Sequence, residues 1–380
     1  MKKHHRKGRT AKVRPEENLP ESEDFGEEAG SFSQFVPDDD DDTGEDDLPG
    51  WYGPAWRTAD KVSRALLAMQ RKSWEQGTAM QAYLELGDFE TLIPMAFDAV
   101  SRMLPDGRPA CLSEGEGGIV DPCSAGEALL AAARETKNPV LIDAEKRLRS
   151  WALEEAPRNR DGIVYHQMHS EEFWSDSIYM LPPYLAAAGF PEEAVRQWRG
   201  YTQALFIPEK GLLAHRFCDR TESLSDPSLW GVGNGWALMG TARLIGLLPR
   251  KNPARREMID FEQRLIDTVY QCRDGKGRFH NVLDQPDTFP EYGIASMWCY
   301  AVYRGLREKW LESDLASQRY RKYRQNAWEL LRQVIKKVDR YGILREVCAS
   351  PDFSHSGFAP EQQAVCLMAV HAGNQCLEDL

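Results

Sequence analysis

The chain lacks several features by which large enzyme classes announce themselves. None of its 380 positions belongs to an apolar run of 18 or more residues, so no segment reads as a membrane span. Its eight cysteines, at 111, 123, 218, 272, 299, 348, 366 and 376, include no CxxC pair. No His/Cys/carboxylate set has metal-ligand spacing, which argues against a metal centre. Cys299 and Cys366 fall in apolar helical patterns and read as small core residues, and the scatter of all eight suits a reducing compartment. There is no GxSxG elbow. The Gly-rich stretch Gly231-Val232-Gly233-Asn234-Gly235 lacks GxGxxG spacing and follows no βα unit, which excludes a dinucleotide loop.

Charge is unevenly spread. Residues 1–50 hold seven Lys/Arg against fifteen Asp/Glu, eight of the chain's twelve net negative charges. The remainder is mildly acidic and shows no basic stripe, so nucleic-acid binding by the core is not expected. Residues 1–50 also have few aliphatic side chains and cannot bury enough surface to offset chain entropy. They read as a disordered tail, basic from Lys2 to Arg14 and acidic from Asp38 to Asp47. The basic start has no apolar run and is no secretory signal, which points to the cytoplasm. Its Lys/Arg cluster is compatible with nuclear import, or with a plain solvated tail neutralised by the acidic block.

From residue 51 to 380 the pattern is helical nearly throughout. Apolar residues at three-to-four spacing predict helices near 58–70, 74–87, 90–103, 122–136, 138–154, 175–188, 191–206, 233–247, 254–272, 291–309, 316–338 and 358–376. Pro and Gly clusters separate them. A turn recurs between alternate helices: Asp161-Gly162-Ile163-Val164-Tyr165-His166, Lys210-Gly211-Leu212-Leu213-Ala214-His215, Lys276-Gly277-Arg278-Phe279-His280 and Tyr341-Gly342-Ile343-Leu344-Arg345. Twelve helices with such a repeat make six hairpins, which bury their faces only by stacking on neighbours. Closed into a ring they form an all-α (α/α)6 barrel; an open solenoid fits the period nearly as well. The closed ring is favoured because the His-bearing turns would then gather at one end, around a cavity.

Four clusters would face that cavity. They are Trp74-Glu75-Gln76-Gly77; Asp121-Pro122 at a helix start; His166 and His169 with Phe173-Trp174-Ser175-Asp176; and Trp230 to Trp236, with His215 before it. Asp176 is the most informative residue, a carboxylate between aromatics at the mouth of an apolar helix. Burial there would raise its pKa far enough to donate a proton near neutrality, although an Asp at a helix start is also a natural N-cap. Taken together the composition suits a sugar: aromatic faces for pyranose C–H groups, Asn and His for hydroxyls, carboxylates for protons. Gly233 and Gly235 would let backbone approach a ligand.

These motifs resemble those of the unsaturated glycuronyl hydrolases, in particular the unsaturated rhamnogalacturonyl hydrolases of glycoside hydrolase family 105. The resemblance covers roughly residues 56–350. It rests on Trp74-Glu75-Gln76-Gly77, Trp174-Ser175-Asp176-Ser177-Ile178-Tyr179-Met180 and Gly233-Asn234-Gly235-Trp236, with weaker matches at Asp121, Glu291 and Val347-Cys348. It implies an (α/α)6 barrel, no cofactor or metal, and an oligosaccharide substrate ending in an unsaturated uronic acid. Asp176 would protonate the vinyl ether and then activate water, with Asp121 as the second carboxylate. Trp74, His166, Trp174, His215, Trp230, Asn234 and Trp236 would line the sugar site. One departure stands out: where the family often has Arg, this chain has Val232. Either another cation, with Arg216 a candidate, meets the uronate carboxylate, or the substrate differs. Hydrolysis of a saturated glycoside on the same barrel, and a non-catalytic helical scaffold, are the competing readings.

Overall fold

The computed structural model describes residues 52–109 and 117–378; the acidic tail and Cys111 lie outside them. All twelve expected helices are present, one of them split. In chain order they begin with α1 (Tyr52–Met69), α2 (Ser73–Leu86), α3 (Phe89–Ser101), α4 (Gly126–Thr136) and α5 (Pro139–Ser150). Next come α6 (Ser177–Met180), α7 (Pro182–Ala187), α8 (Pro191–Leu205) and α9 (Gly231–Leu247). The last are α10 (Ala254–Gln271), α11 (Gly293–Arg307), α12 (Gln318–Ile335) and α13 (Pro360–Glu378). A 3₁₀ turn, Asp121–Ala125, leads into α4. The helix expected over 175–188 breaks between α6 and α7 because Pro182 and Pro183 cannot donate to the preceding turn and their rings crowd its carbonyls.

The ring closes. α2 packs on the 3₁₀ turn and α4, α4 on α7, α6 and α7 on α9, α9 on α11, α11 on α13, and α13 back on α2. An open solenoid would leave α13 and α2 apart. The remaining helices, α1, α3, α5, α8, α10 and α12, alternate with these in the chain and form the outer layer. The difference shows in their sequences. Every residue of α9 from Gly231 to Ile245 is buried, as befits a helix covered all round, whereas α10 and α12 keep a charged face. Each fully buried aliphatic side chain, such as Leu238 or Ile245, contributes about 1.5–3 kcal/mol. Deep in the ring the fully buried Arg243 is held by Glu127 at 2.5 Å and lies 4.7 Å over the Tyr179 ring.

Glycines set the inner spacing. A Cβ at Gly77 would fall 2.0 Å from Ser124 Oγ, and one at Gly235 2.2 Å from Met297 Sδ. Gly233 would meet Ser175 Oγ at 2.3 Å. Gly233 and Gly235 thus admit neighbouring protein elements, which corrects the expectation that they admit a ligand.

The recurring turn is a small hairpin between an outer helix and the next inner one, and its glycine has positive φ in all four expected copies. A fifth copy, at Gly107 (φ 95°), has the same hydrogen bonds as the copy at Gly162: Leu104 N to Arg108 O and Gly107 N to Leu104 O. These turns place the N-terminal ends of the inner helices at one end of the barrel. A three-stranded antiparallel sheet lies there, ordered β1 (Glu172–Trp174), β4 (Arg216–Cys218), β5 (Ser223–Asp226). The other strands, β2 (Phe206–Ile207) with β3 (Leu212–Leu213) and β6 (Val347–Cys348) with β7 (Ser356–Gly357), are two-residue ladders.

Candidate active site

Asp176 occupies the N-cap position of α6 yet makes no capping bond. Its Oδ1 is buried without a hydrogen-bond partner, and its side chain keeps only 14% exposure. The capping alternative therefore fails. Burial pushes the carboxyl above the ordinary aspartate range, opposed by the Arg216 charge and by His215 in its protonated form.

His166 joins this acid to the second one. Its Nε2 lies 3.5 Å from Asp121 Oδ1 and 3.9 Å from Asp176 Oδ2. On the far side of the ring Nδ1 meets Ser177 Oγ at 2.9 Å. The backbone fixes the position: Ile119 N donates to His166 O and His166 N to Glu172 O, both at 2.8 Å. The turn that carries His166 is thereby tied to the segment carrying Asp121 and to the strand leading to Asp176. Two carboxylates within 4 Å of one imidazole nitrogen can hold, share and return a proton.

The sheet builds the adjoining wall. In its register Trp174 pairs with Arg216 and Arg216 with Asp226. Trp174 stacks on His166 with centroids 4.2 Å apart, and the Arg216 guanidinium lies 3.9 Å over the indole. Trp174, expected to stack on sugar, already has these two partners, and its Nε1 donates to Glu172 at 3.0 Å. His215 Nδ1 is 2.9 Å from Asp226 Oδ2. Burial lowers the His215 pKa, so the neutral ring donates from Nδ1 to Asp226 and leaves Nε2 as an acceptor. His215 also packs against Trp230 at 4.6 Å.

Several expected residues do other work. The Asn234 amide is fully committed: Oδ1 accepts from Leu213 N at 2.9 Å, and Nδ2 donates to Leu213 O and Trp230 O at 3.0 Å. It pins the Leu213 strand to α9. Trp236 is buried against Tyr179 at 4.6 Å. Trp74 is half-buried in the first turn of α2. His169 is exposed, and His280 spends its ring nitrogens on Thr288 O and Asp274. Glu291, one of the weaker sequence signals, accepts from Gly293 N, Ile294 N and Cys348 N and so ties α11 to β6.

Asp226, Ser177 and Glu172 carry supporting bonds that the motifs did not reveal. For Asp226 a signal existed, the alternation Ser223-Leu224-Ser225-Asp226 of a short strand. Among the described residues no group of three or more His, Cys, Asp and Glu side chains is arranged to hold a metal, and no helix is long and apolar enough to cross a membrane.

The comparisons agree with this architecture. The profile of Glycosyl Hydrolase Family 88 matches residues 56–365. The chain is 25% identical over 263 residues to unsaturated rhamnogalacturonyl hydrolase YesR of Bacillus subtilis, covering 64% of this chain and 74% of that one. A possible member of the GH105 family from Salmonella enterica superposes with a TM-score of 0.73 at 20% identity, over 86% of this chain and 96% of that one. An unsaturated glucuronyl hydrolase of Bacillus sp. GL1 gives 0.62 at 13% identity, over 84% and 95%. At such identities the solved structures speak for the fold, an (α/α)6 barrel. The family match covers most of the chain, and the protein belongs to Glycosyl Hydrolase Family 88.

Proposed function

We propose that this glycoside hydrolase removes an unsaturated uronic acid from the non-reducing end of an oligosaccharide. The observation that carries the reading is Asp176, buried, uncapped, with one oxygen unpartnered, and sharing His166 Nε2 with Asp121. A carboxyl so placed holds a proton that an ordinary aspartate would lose.

In the reaction Asp176 gives that proton to C4 of the C4=C5 vinyl ether. Water adds at C5, losing its own proton to the Asp176 carboxylate, and forms a hemiketal. Ring opening turns C5 into a ketone, and the hemiacetal left at C1 expels the neighbouring sugar as an alcohol. One water is consumed and Asp176 ends protonated as it began. Asp121 favours the protonated form of Asp176 by like-charge repulsion, and His166 keeps the two acids in register. The names of the curated relatives, unsaturated rhamnogalacturonyl and 3S-rhamnoglycuronyl hydrolases, support a substrate of this class.

The test follows the vinyl-ether absorbance while purified protein acts on lyase-generated unsaturated disaccharides, with Asp176→Asn alongside. Loss of the band with wild type alone supports the reading. Persistence of the band with every disaccharide would direct attention to saturated uronosides.

A further inference from the structure

The sheet holds a cation whose charge the fold leaves unanswered. Arg216, at the start of β4, is half-buried, and its guanidinium lies 3.9 Å over Trp174. Among the described residues no carboxylate lies within ion-pairing distance of it. The neighbouring acids are committed elsewhere. Asp226, its cross-strand partner, accepts from His215 through Oδ2 and from Ser228 N through Oδ1 at 3.0 Å. Glu172 accepts from Trp174. Asp176 is near enough to feel the Arg216 charge but too far to pair with it, so the acid is not locked as a carboxylate. The polar contact Arg216 does make is weak, Nε to His215 Nε2 at 3.5 Å.

We propose that Arg216 receives the uronate carboxylate of the substrate and makes the site selective for the free acid over its ester, an inference that rests on the function proposed above. A guanidinium lying on an aromatic face is held in one plane, and with Nε turned to His215 its two Nη groups remain for a bidentate bond to a planar carboxylate. The ligand side of the contact is thus an anion, set beside Asp176, and a sugar whose vinyl ether reaches Asp176 carries its carboxylate on the adjoining carbon. The α9 side offers no substitute: Val232 is 2% exposed and apolar. The carboxylate is therefore met from the sheet, by a residue of β4.

The experiment is calorimetric. Asp176→Asn protein, in which turnover is slowed, is titrated with an unsaturated uronyl disaccharide and with its methyl ester, with and without Arg216→Met. The Asp176→Asn protein binds the acid roughly ten- to a hundredfold more tightly than the ester, the value of a charge-assisted contact. Adding Arg216→Met brings the acid to the level of the ester and leaves the ester unchanged, while Arg216→Lys retains part of the preference. Survival of the full acid preference in Arg216→Met overturns the assignment, as does equal binding of acid and ester before Arg216 is touched. Failure of the proposed function looks different: neither compound binds the Asp176→Asn protein and wild type leaves the band intact, and the role of Arg216 falls with it.

Discussion

Ser177 Oγ sits 2.9 Å from Nδ1 of His166, across the ring from both carboxylates. Ser177 follows Asp176 in sequence, so one helix start supplies the acid and the group that aims the imidazole. Removing the hydroxyl in Ser177→Ala deletes a buried hydrogen bond worth about 1–3 kcal/mol. If the bond serves catalysis, kcat falls roughly ten- to a hundredfold with KM little changed, and Ser177→Thr restores most of it. A purely structural role would lower the melting temperature and leave kcat of the folded protein intact.

On the proposed mechanism Asp176 sets the alkaline side of the pH profile. As general acid it works while protonated, so activity falls as pH rises through its pKa, which burial places above the ordinary aspartate value. The charged and titratable groups around it are Asp121, His166, His215 and Arg216. Asp121→Asn removes a like charge and shifts the limb to lower pH. Arg216→Met removes a charge that opposes protonation and shifts it to higher pH. Asp176→Asn loses about 10²–10⁴-fold in rate without a shifted limb. Profiles of kcat/KM for the three variants check these directions, and coincident limbs in wild type and Asp121→Asn would remove Asp176 from the role.

The helices were legible because their apolar spacing repeats over more than three hundred residues and because Pro and Gly mark their ends. The Gly turn discloses the hairpin count, though its copy at Gly107 is harder to read: Asp106-Gly107-Arg108-Pro109-Ala110 lacks the polar ending of the others. Asp176 and Asp121 were readable as carboxylates at helix starts. The sheet was not, because its strands are three or four residues long and β1 is paired with β4 across more than forty positions, as Trp174 is with Arg216. Asn234 is ambiguous for a related reason. A polar residue between glycines looks the same in sequence whether its amide meets a sugar or, as here, the backbone of Leu213.

Glu262 supplies a stability test away from the site. It is fully buried on α10, both carboxylate oxygens lack partners, and burial drives its pKa well above the ordinary value. The folded protein keeps this proton, whereas the unfolded chain releases it above pH ~4.3. The unfolded state therefore binds fewer protons over the intervening range, and stability declines as pH rises through it. Glu262→Met removes that dependence. Its melting temperature should exceed that of wild type by more at pH 8 than at pH 5, and an equal offset at both would mean that Glu262 is paired in solution.

Gly233 couples packing to chemistry. A methyl there would meet Ser175 Oγ at 2.3 Å and the Trp230 ring at 2.8 Å, closer than real Cβ contacts come. Ser175 is itself fixed by its N–H bond to His215 O at 3.0 Å, so the strain passes to the peptide before Asp176. Overpacking of this kind costs about 1–3 kcal/mol. Gly233→Ala should therefore lower both the melting temperature and kcat. Gly275→Ala, where nothing lies within 4 Å of the new methyl, should change neither. Full activity in a destabilised Gly233→Ala would show that the α9 start can yield without moving Asp176, and that the acid is held by the sheet and His166 alone.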